Sequence, residues 1–449
     1  MTAAVPAALS DASDAASCAN RPAPVLTTGL VLTGGGARAA YQVWVLKAIA
    51  QIRREAGHGA GPNPFPVITG TSAGAINAAT LACRADDFDA GVASLCEVWA
   101  NFRAEQVYRS DSIGVIRSGA RWLTMLSIGW VIARFHRARP RSLLDNAPLA
   151  DLLTRLFSTA RLAAVMRAGH VQALAVSASS YGSGLHLTFY DAVHDIAPWT
   201  RSQRLAVRGP IGVPHLLASS AIPFVFPPVA LKIGDLTGDS TGEHTEYCGD
   251  GSMRQAAPIS PAIHLGAQRV LVVGAGRMHE PPGPRAGSSA YPNIAQIAGH
   301  ALSNIFLDAL AVDVERLQRI NSTLALLTSE QLAATRLKPV NVLVIAPSQR
   351  LDDIAARHLG ALPLPVRAML GGIGVRGAGA AGRDARGAAL ASYLLFEAPY
   401  TRELMALGEA DTYRRRADVL GFFGWTDALL PTVAARSTRA PMPPWQPPP

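Results

Sequence analysis

Short apolar runs rich in β-branched residues alternate along this chain with longer stretches whose apolar positions recur every three or four residues, the two periods of strand and helix. VLTTGLVL, Val25 to Leu32, predicts a strand, and AAYQVWVLKAIA, Ala39 to Ala50, predicts a helix. PVITG, Pro66 to Gly70, and the following TSAGAINAATLACRA repeat the pair. Strands separated by helices favour parallel neighbours, so an α/β sheet is the first expectation. VQALAVSAS, Val171 to Ser179, and LHLTFYDA, Leu185 to Ala192, predict two more strands, joined through YGSG as a hairpin. RVLVVGAG, Arg269 to Gly276, and VNVLVIAP, Val340 to Pro347, continue the series. Between these a long amphipathic helix is expected over 294–327, with Ile294, Ile297, Ala301, Ile305, Ala309 and Val312 on its apolar face.

Because VNVLVIAP follows the loop HEPPGPRAGSSAYP, His279 to Pro292, one sheet is expected to draw strands from both sides of that loop. The resulting organisation is an N-terminal arm over 1–24, an α/β domain over 25–347, a helical and glycine-rich extension over 348–430 and a proline-rich tail over 431–449. The most apolar run, WLTMLSIGWVIA from Trp122 to Ala133, is shorter than the roughly 20 residues that cross a bilayer. It reads as a buried helix, with a lid or interfacial helix as the alternative. Arg117 and Arg121 before it and Arg134, Arg137, Arg139 and Arg141 after it favour lipid contact in that second case.

Composition narrows the class. With 449 residues, 49% of them hydrophobic, the chain can bury a large core and is not disordered. Its four cysteines have no metal-ligand or disulfide spacing, which points to a reducing compartment and to no bound metal. The net charge of +9 is almost all arginine, since lysine occurs only at 47, 232 and 338. Such a charge suits anionic lipid or nucleic acid, but no basic stretch is interleaved with aromatics, so a nucleic-acid partner is not expected. The first residues lack a basic n-region followed by an apolar h-region. A cytoplasmic location, with peripheral contact at a membrane, is the expectation.

Two motifs carry the chemistry. The first predicted strand runs into Gly34-Gly35-Gly36-Ala37-Arg38, where a strand-to-helix turn brings backbone N–H groups close to a phosphate or an oxyanion. The second runs into Gly70-Thr71-Ser72-Ala73-Gly74, the Gly-x-Ser-x-Gly elbow that exposes a serine hydroxyl on a tight turn. In an α/β sheet, adjacent turns beyond the strand ends share one site. Ser72 is then the nucleophile, and Gly34, Gly35 and Gly36 are the oxyanion donors, with Arg38 adding charge or orienting the loop. A turn serine that only caps its helix is the bland alternative. Dinucleotide binding through Gly34-x-Gly36-x-x-Ala39 is disfavoured, because the second strand ends in Gly-Thr-Ser rather than in an acid for the ribose.

A base is also needed. Asp250, followed by Gly251 in GDGS, stands in a turn ahead of a helix expected near Pro258. GGGAR, GTSAG, GDGS and the segment ASSAIPFVFPPV, Ala218 to Val229, together resemble the patatin-like phospholipases over Val25 to Gly276. That resemblance implies a three-layer α/β/α sandwich with a mostly parallel sheet. It also implies hydrolysis of acyl esters of phospholipids, lysophospholipids or related lipids by a Ser–Asp dyad without a cofactor. Ser72 matches the nucleophile, Asp250 the base, and Gly34, Gly35, Gly36 and Arg38 the oxyanion loop. Ala39 and Ser252 depart from the residues common in that family. Two alternatives remain: a Ser-His-Asp esterase drawing on His264, His279, His300 or His358, and a non-catalytic lipid- or anion-binding protein.

Overall fold

The computed structural model describes residues 26–109, 142–233, 244–278, 291–375 and 387–425. The expected N-terminal arm, the run from Trp122 to Ala133, His279 and the proline-rich tail lie outside those residues. Among the described residues ten strands form one sheet: β1 (Thr28–Leu32), β2 (Val67–Thr71), β3 (Ala173–Ser180), β4 (His186–Ala192), β5 (Thr200–Arg201), β6 (Arg204–Arg208), β7 (Val229–Ile233), β8 (His244–Asp250), β9 (Arg269–Val273) and β10 (Asn341–Ile345). Their order is β10-β9-β1-β2-β3-β4-β6-β5, with β8 paired to the end of β3 and β7 to β8. Every neighbouring pair from β10 to β3 is parallel. The β3–β4 hairpin and the β7–β8 pair are antiparallel.

Alternation along the strands divides the core into two layers. Leu30 and Leu32 of β1, Leu271 and Val273 of β9 and Leu343 and Ile345 of β10 face the cluster that also contains α1 (Ala40–Glu55), α2 (Ala73–Ala82) and α3 (Phe88–Ala100). Their sequence neighbours Val31, Val270 and Val272 face a second cluster with Ile259, Leu310 and Leu317. Strands buried on both faces read as unbroken apolar runs, which is what sandwiching between two helical layers requires. The protein is a three-layer α/β/α sandwich, and each fully buried Leu or Ile contributes about 1.5–3 kcal/mol to it.

Much of one helical layer comes from the end of the chain. The helix Ala398–Arg414 lies along α1, placing Leu404 and Met405 in the first cluster. A Cβ at Gly408 would collide with the Tyr41 carbonyl, so the two helices touch backbone to backbone there. Tyr41 donates its hydroxyl to Asp411 at 3.0 Å, and Lys47 meets Glu409 at 3.1 Å.

The long helix expected near residue 294 exists as Ile294–Ser303, a π turn over Asn304–Asp308, and Ala309–Leu324. Its buried face differs from the expected one. Ile294, Ile297 and Val312 are exposed, whereas Ala295, Gly299, Leu302, Phe306, Leu310, Asp313 and Leu317 are buried. Both sets have helical spacing, so periodicity alone does not choose between them. Close approach does: a Cβ at Gly299 would lie 2.9 Å from Ala389 Cβ, and only the small-residue face admits that contact. By length and composition this helix could cross a membrane, yet Leu310 and Leu317 pack in the second core cluster.

Candidate active site

Ser72 is the single residue between β2 and α2, and it turns the chain with φ 55° and ψ −132°. For a residue with a side chain, such a conformation costs on the order of 1–3 kcal/mol and persists only where its surroundings impose it. The elbow glycines make room for those surroundings. A Cβ at Gly70 would stand 2.5 Å from the Gly74 carbonyl oxygen, and one at Gly74 would collide with the carbonyl of Leu32 in β1. The Ser72 N–H donates to Ser219 Oγ at 2.8 Å, and Ser72 itself is 1% exposed.

Asp250 reaches the serine because β8 joins the sheet in the middle, antiparallel to the end of β3, with Asp250 opposite Ala178. Ser72 Oγ donates to Asp250 Oδ2 at 2.6 Å. The other carboxylate oxygen accepts the Ser252 N–H at 2.9 Å, and the Asp250 N–H donates to the Ala221 carbonyl at 3.0 Å. Gln255 Nε2 donates to Thr71 Oγ1 at 2.7 Å and ties the loop after the aspartate to the strand before the serine. Complete burial pushes the Asp250 carboxyl up to about 6, and the hydrogen bonds from Ser72 and Ser252 hold it back from rising further. A carboxylate with that pKa is matched to taking up and returning a proton near neutral pH.

The glycine loop lies against both residues. A Cβ at Gly34 would be 3.0 Å from Ser72 Cβ and would collide with the buried Ser252 Oγ. Gly36 begins a short 3-10 turn at φ +56°, where a side chain would be strained and would strike the Tyr393 carbonyl. Among the described residues no backbone hydrogen bond is donated by Gly34, Gly35 or Gly36. Arg38 is buried, and its guanidinium contacts Asp352, Ser392 and Ala389 rather than Ser72 or Asp250. Of the two roles expected for it, orienting the loop is the one this geometry suits.

Ser72 and Gly36 open onto a cavity whose walls are almost wholly apolar, including Ile76, Leu95, Trp99, Phe102, Leu152 and Phe396. Behind it a buried chain runs from Trp99 Nε1 to Asn77 Oδ1 (2.8 Å) and from Asn77 Nδ2 to Gln42 Oε1 (3.0 Å), which satisfies the polar atoms of the wall.

None of the described histidines is hydrogen-bonded to Ser72 or to the Asp250 side chain. His264 stacks on Trp199 at 4.7 Å, His358 bonds Glu403 at 2.6 Å, and His300 is exposed. His186 touches the backbone of Gly251 and is pushed down to about 4 by burial. Ser219 and Ala221 lie in the segment Ala218 to Val229, where the sequence marks neither for a role. Ser219 Oγ and the Ala221 carbonyl hold the backbone N–H groups of Ser72 and Asp250, a convergence that no local pattern announces.

A family model described as patatin-like phospholipase matches residues 30–263. A comparison with curated proteins gives no match. Among solved structures, ExoU with SpcU from the type III secretion system of Pseudomonas aeruginosa aligns at 16% identity and a TM-score of 0.18, covering 37% of this chain and 35% of that one. VipD from Legionella pneumophila aligns at 11% identity and a TM-score of 0.25, covering 86% of this chain and 67% of that one. The chain thus spans about a third of the length of the first of these structures.

Proposed function

This chain belongs to the patatin-like phospholipase family, a lipid-hydrolase class, and from that premise we propose that it cleaves acyl esters of phospholipids or lysophospholipids with Ser72 and Asp250 as its dyad. One observation carries the reading: a serine in a strained elbow, lining an apolar cavity, donates at 2.6 Å to a buried aspartate. Asp250 takes the Ser72 proton as Oγ attacks the ester carbonyl, and the cavity receives the acyl chain. The oxyanion accepts N–H bonds from the glycine loop, where each donor is typically worth about 10²–10³ in rate. Collapse of the tetrahedral intermediate transfers the proton from Asp250 to the departing alcohol and leaves acyl-Ser72. Water then attacks this ester with Asp250 again as base, releasing the fatty acid. No metal or organic cofactor enters these steps. A cytoplasmic location with peripheral contact at a lipid surface completes the proposal.

Fluorophosphonate labelling with mass-spectrometric mapping tests it. Modification of Ser72 that disappears in Asp250→Asn, with the fold retained, is expected. A folded wild-type protein that stays unlabelled in the presence of lipid would sink the dyad.

A further inference from the structure

The three glycines before α1 need outside support. An oxyanion donor works only within about 2.7–3.1 Å of the developing charge, and a glycine loop has more backbone freedom than any other sequence of its length. Its support comes from the far end of the chain, beyond the residues matched by the family model. Arg38 Nη2 donates to Asp352 Oδ1 at 2.5 Å, at the start of the helix Leu351–His358. Arg38 Nε donates to Ser392 Oγ at 2.8 Å, and the guanidinium lies 4.0 Å over the ring of Tyr393, both in the helix Ala388–Leu394. The Tyr393 carbonyl abuts Gly36, and its ring stacks at 4.9 Å on Phe306 in the π turn. Phe306 in turn abuts Gly34, where a Cβ would come within 3.1 Å of its ring. Both ends of the glycine run are thereby gripped from outside the turn itself.

We propose that the helices Leu351–His358 and Ala388–Leu394 clamp the glycine loop, with Asp352 a positioning residue that acts through Arg38 on the loop's N–H groups. The catalytic consequence rests on the acyl-hydrolase reading; the clamp itself does not. A buried guanidinium requires its counter-charge, since removing one partner leaves the other charge uncompensated. Arginine also suits the place because its planar fork meets Ser392 through Nε and Asp352 through Nη2 while stacking on a ring, which a lysine ammonium cannot do. The Asp352 side chain is 24% exposed, so asparagine can replace it without a buried vacancy.

Two measurements on the full chain, wild type and Asp352→Asn, separate the possibilities: steady-state hydrolysis of a soluble short-chain p-nitrophenyl ester, and amide hydrogen exchange. The clamp predicts a fall in kcat of about tenfold or more, with KM within about twofold, partly restored in Asp352→Glu. Exchange should accelerate in the peptide spanning Gly34 to Ala40 while that spanning Val67 to Ala82 is unchanged. Unchanged kcat, or unchanged exchange in the glycine loop, overturns the positioning role. Should wild type show no ester turnover, the hydrolase reading fails and loop exchange alone decides the clamp. Ser392→Ala, which removes the Nε partner together with the hydroxyl's bond to the Ala389 carbonyl but leaves the Asp352 ion pair, gives the same pattern at a smaller size and serves if Asp352→Asn does not fold.

Discussion

Ser72 and Asp250 compete for one proton, and burial decides how. Because the Asp250 carboxyl is pushed up to about 6, log(kcat/KM) should rise with unit slope below that pH and level off above it, as read from a pH–rate profile with a soluble ester. Stability has the opposite dependence. The folded pKa lies above the unfolded value near 3.9, so above pH 6 the fold holds a charge that the unfolded chain would solvate. The cost there is on the order of 3 kcal/mol, shrinking as pH falls from 6 to 4 while the native state takes up its proton. Asp250→Asn should therefore unfold at a higher temperature than wild type at pH 7.5, and the difference should fade by about pH 4 in parallel calorimetric scans. Ser219→Ala leaves the Ser72 N–H buried without its acceptor. A loss of about 1–3 kcal/mol in urea unfolding is expected, together with reduced turnover.

Among the elements, β8 and the helix Ala398–Arg414 decide most. Strands β1 and β2 could be read from their apolar runs, and the β3–β4 hairpin from the turn YGSG between them. Placement of β8 beside the end of β3 could not, because antiparallel insertion into a parallel sheet depends on partners far along the chain. The helix Ile294–Ser303 shows the same limit, since apolar residues at helical spacing mark two of its faces and its buried side was settled by contact with Ala389 and Leu390. Close packing has a measurable cost when it is violated. Gly408→Ala pushes a Cβ into the Tyr41 carbonyl, and a destabilisation of about 1–3 kcal/mol is expected from denaturant titration, with α1 shifting against its neighbour.

At the scale of the whole molecule, the segment after β10 completes the first core cluster rather than trailing from a finished domain. Leu404 and Met405 are wholly buried there, Phe396 lines the cavity, and Tyr108 donates its hydroxyl to the Leu394 carbonyl at 2.9 Å. A chain ending at residue 347 would expose the apolar side of α1 and lose the partners of Arg38. It should show no cooperative thermal transition and should bind a hydrophobic dye, whereas a stable, soluble truncated protein would contradict this account of the core.

The sequence by itself determined the α/β class, the elbow around Ser72 and the glycine turn ending in Arg38, because strand period, helix period and tight-turn glycines are local demands that each short stretch meets alone. It also pointed to Asp250 through the company of the other motifs. Only the tertiary structure decided that Asp250 lies 2.6 Å from Ser72, that Ser219 and Ala221 hold their backbones, and that Arg38 turns toward Asp352. Each of those contacts joins residues more than twenty-five positions apart. Nothing in local spacing encodes them, since they follow from which strand ends and helix faces the buried core brings together.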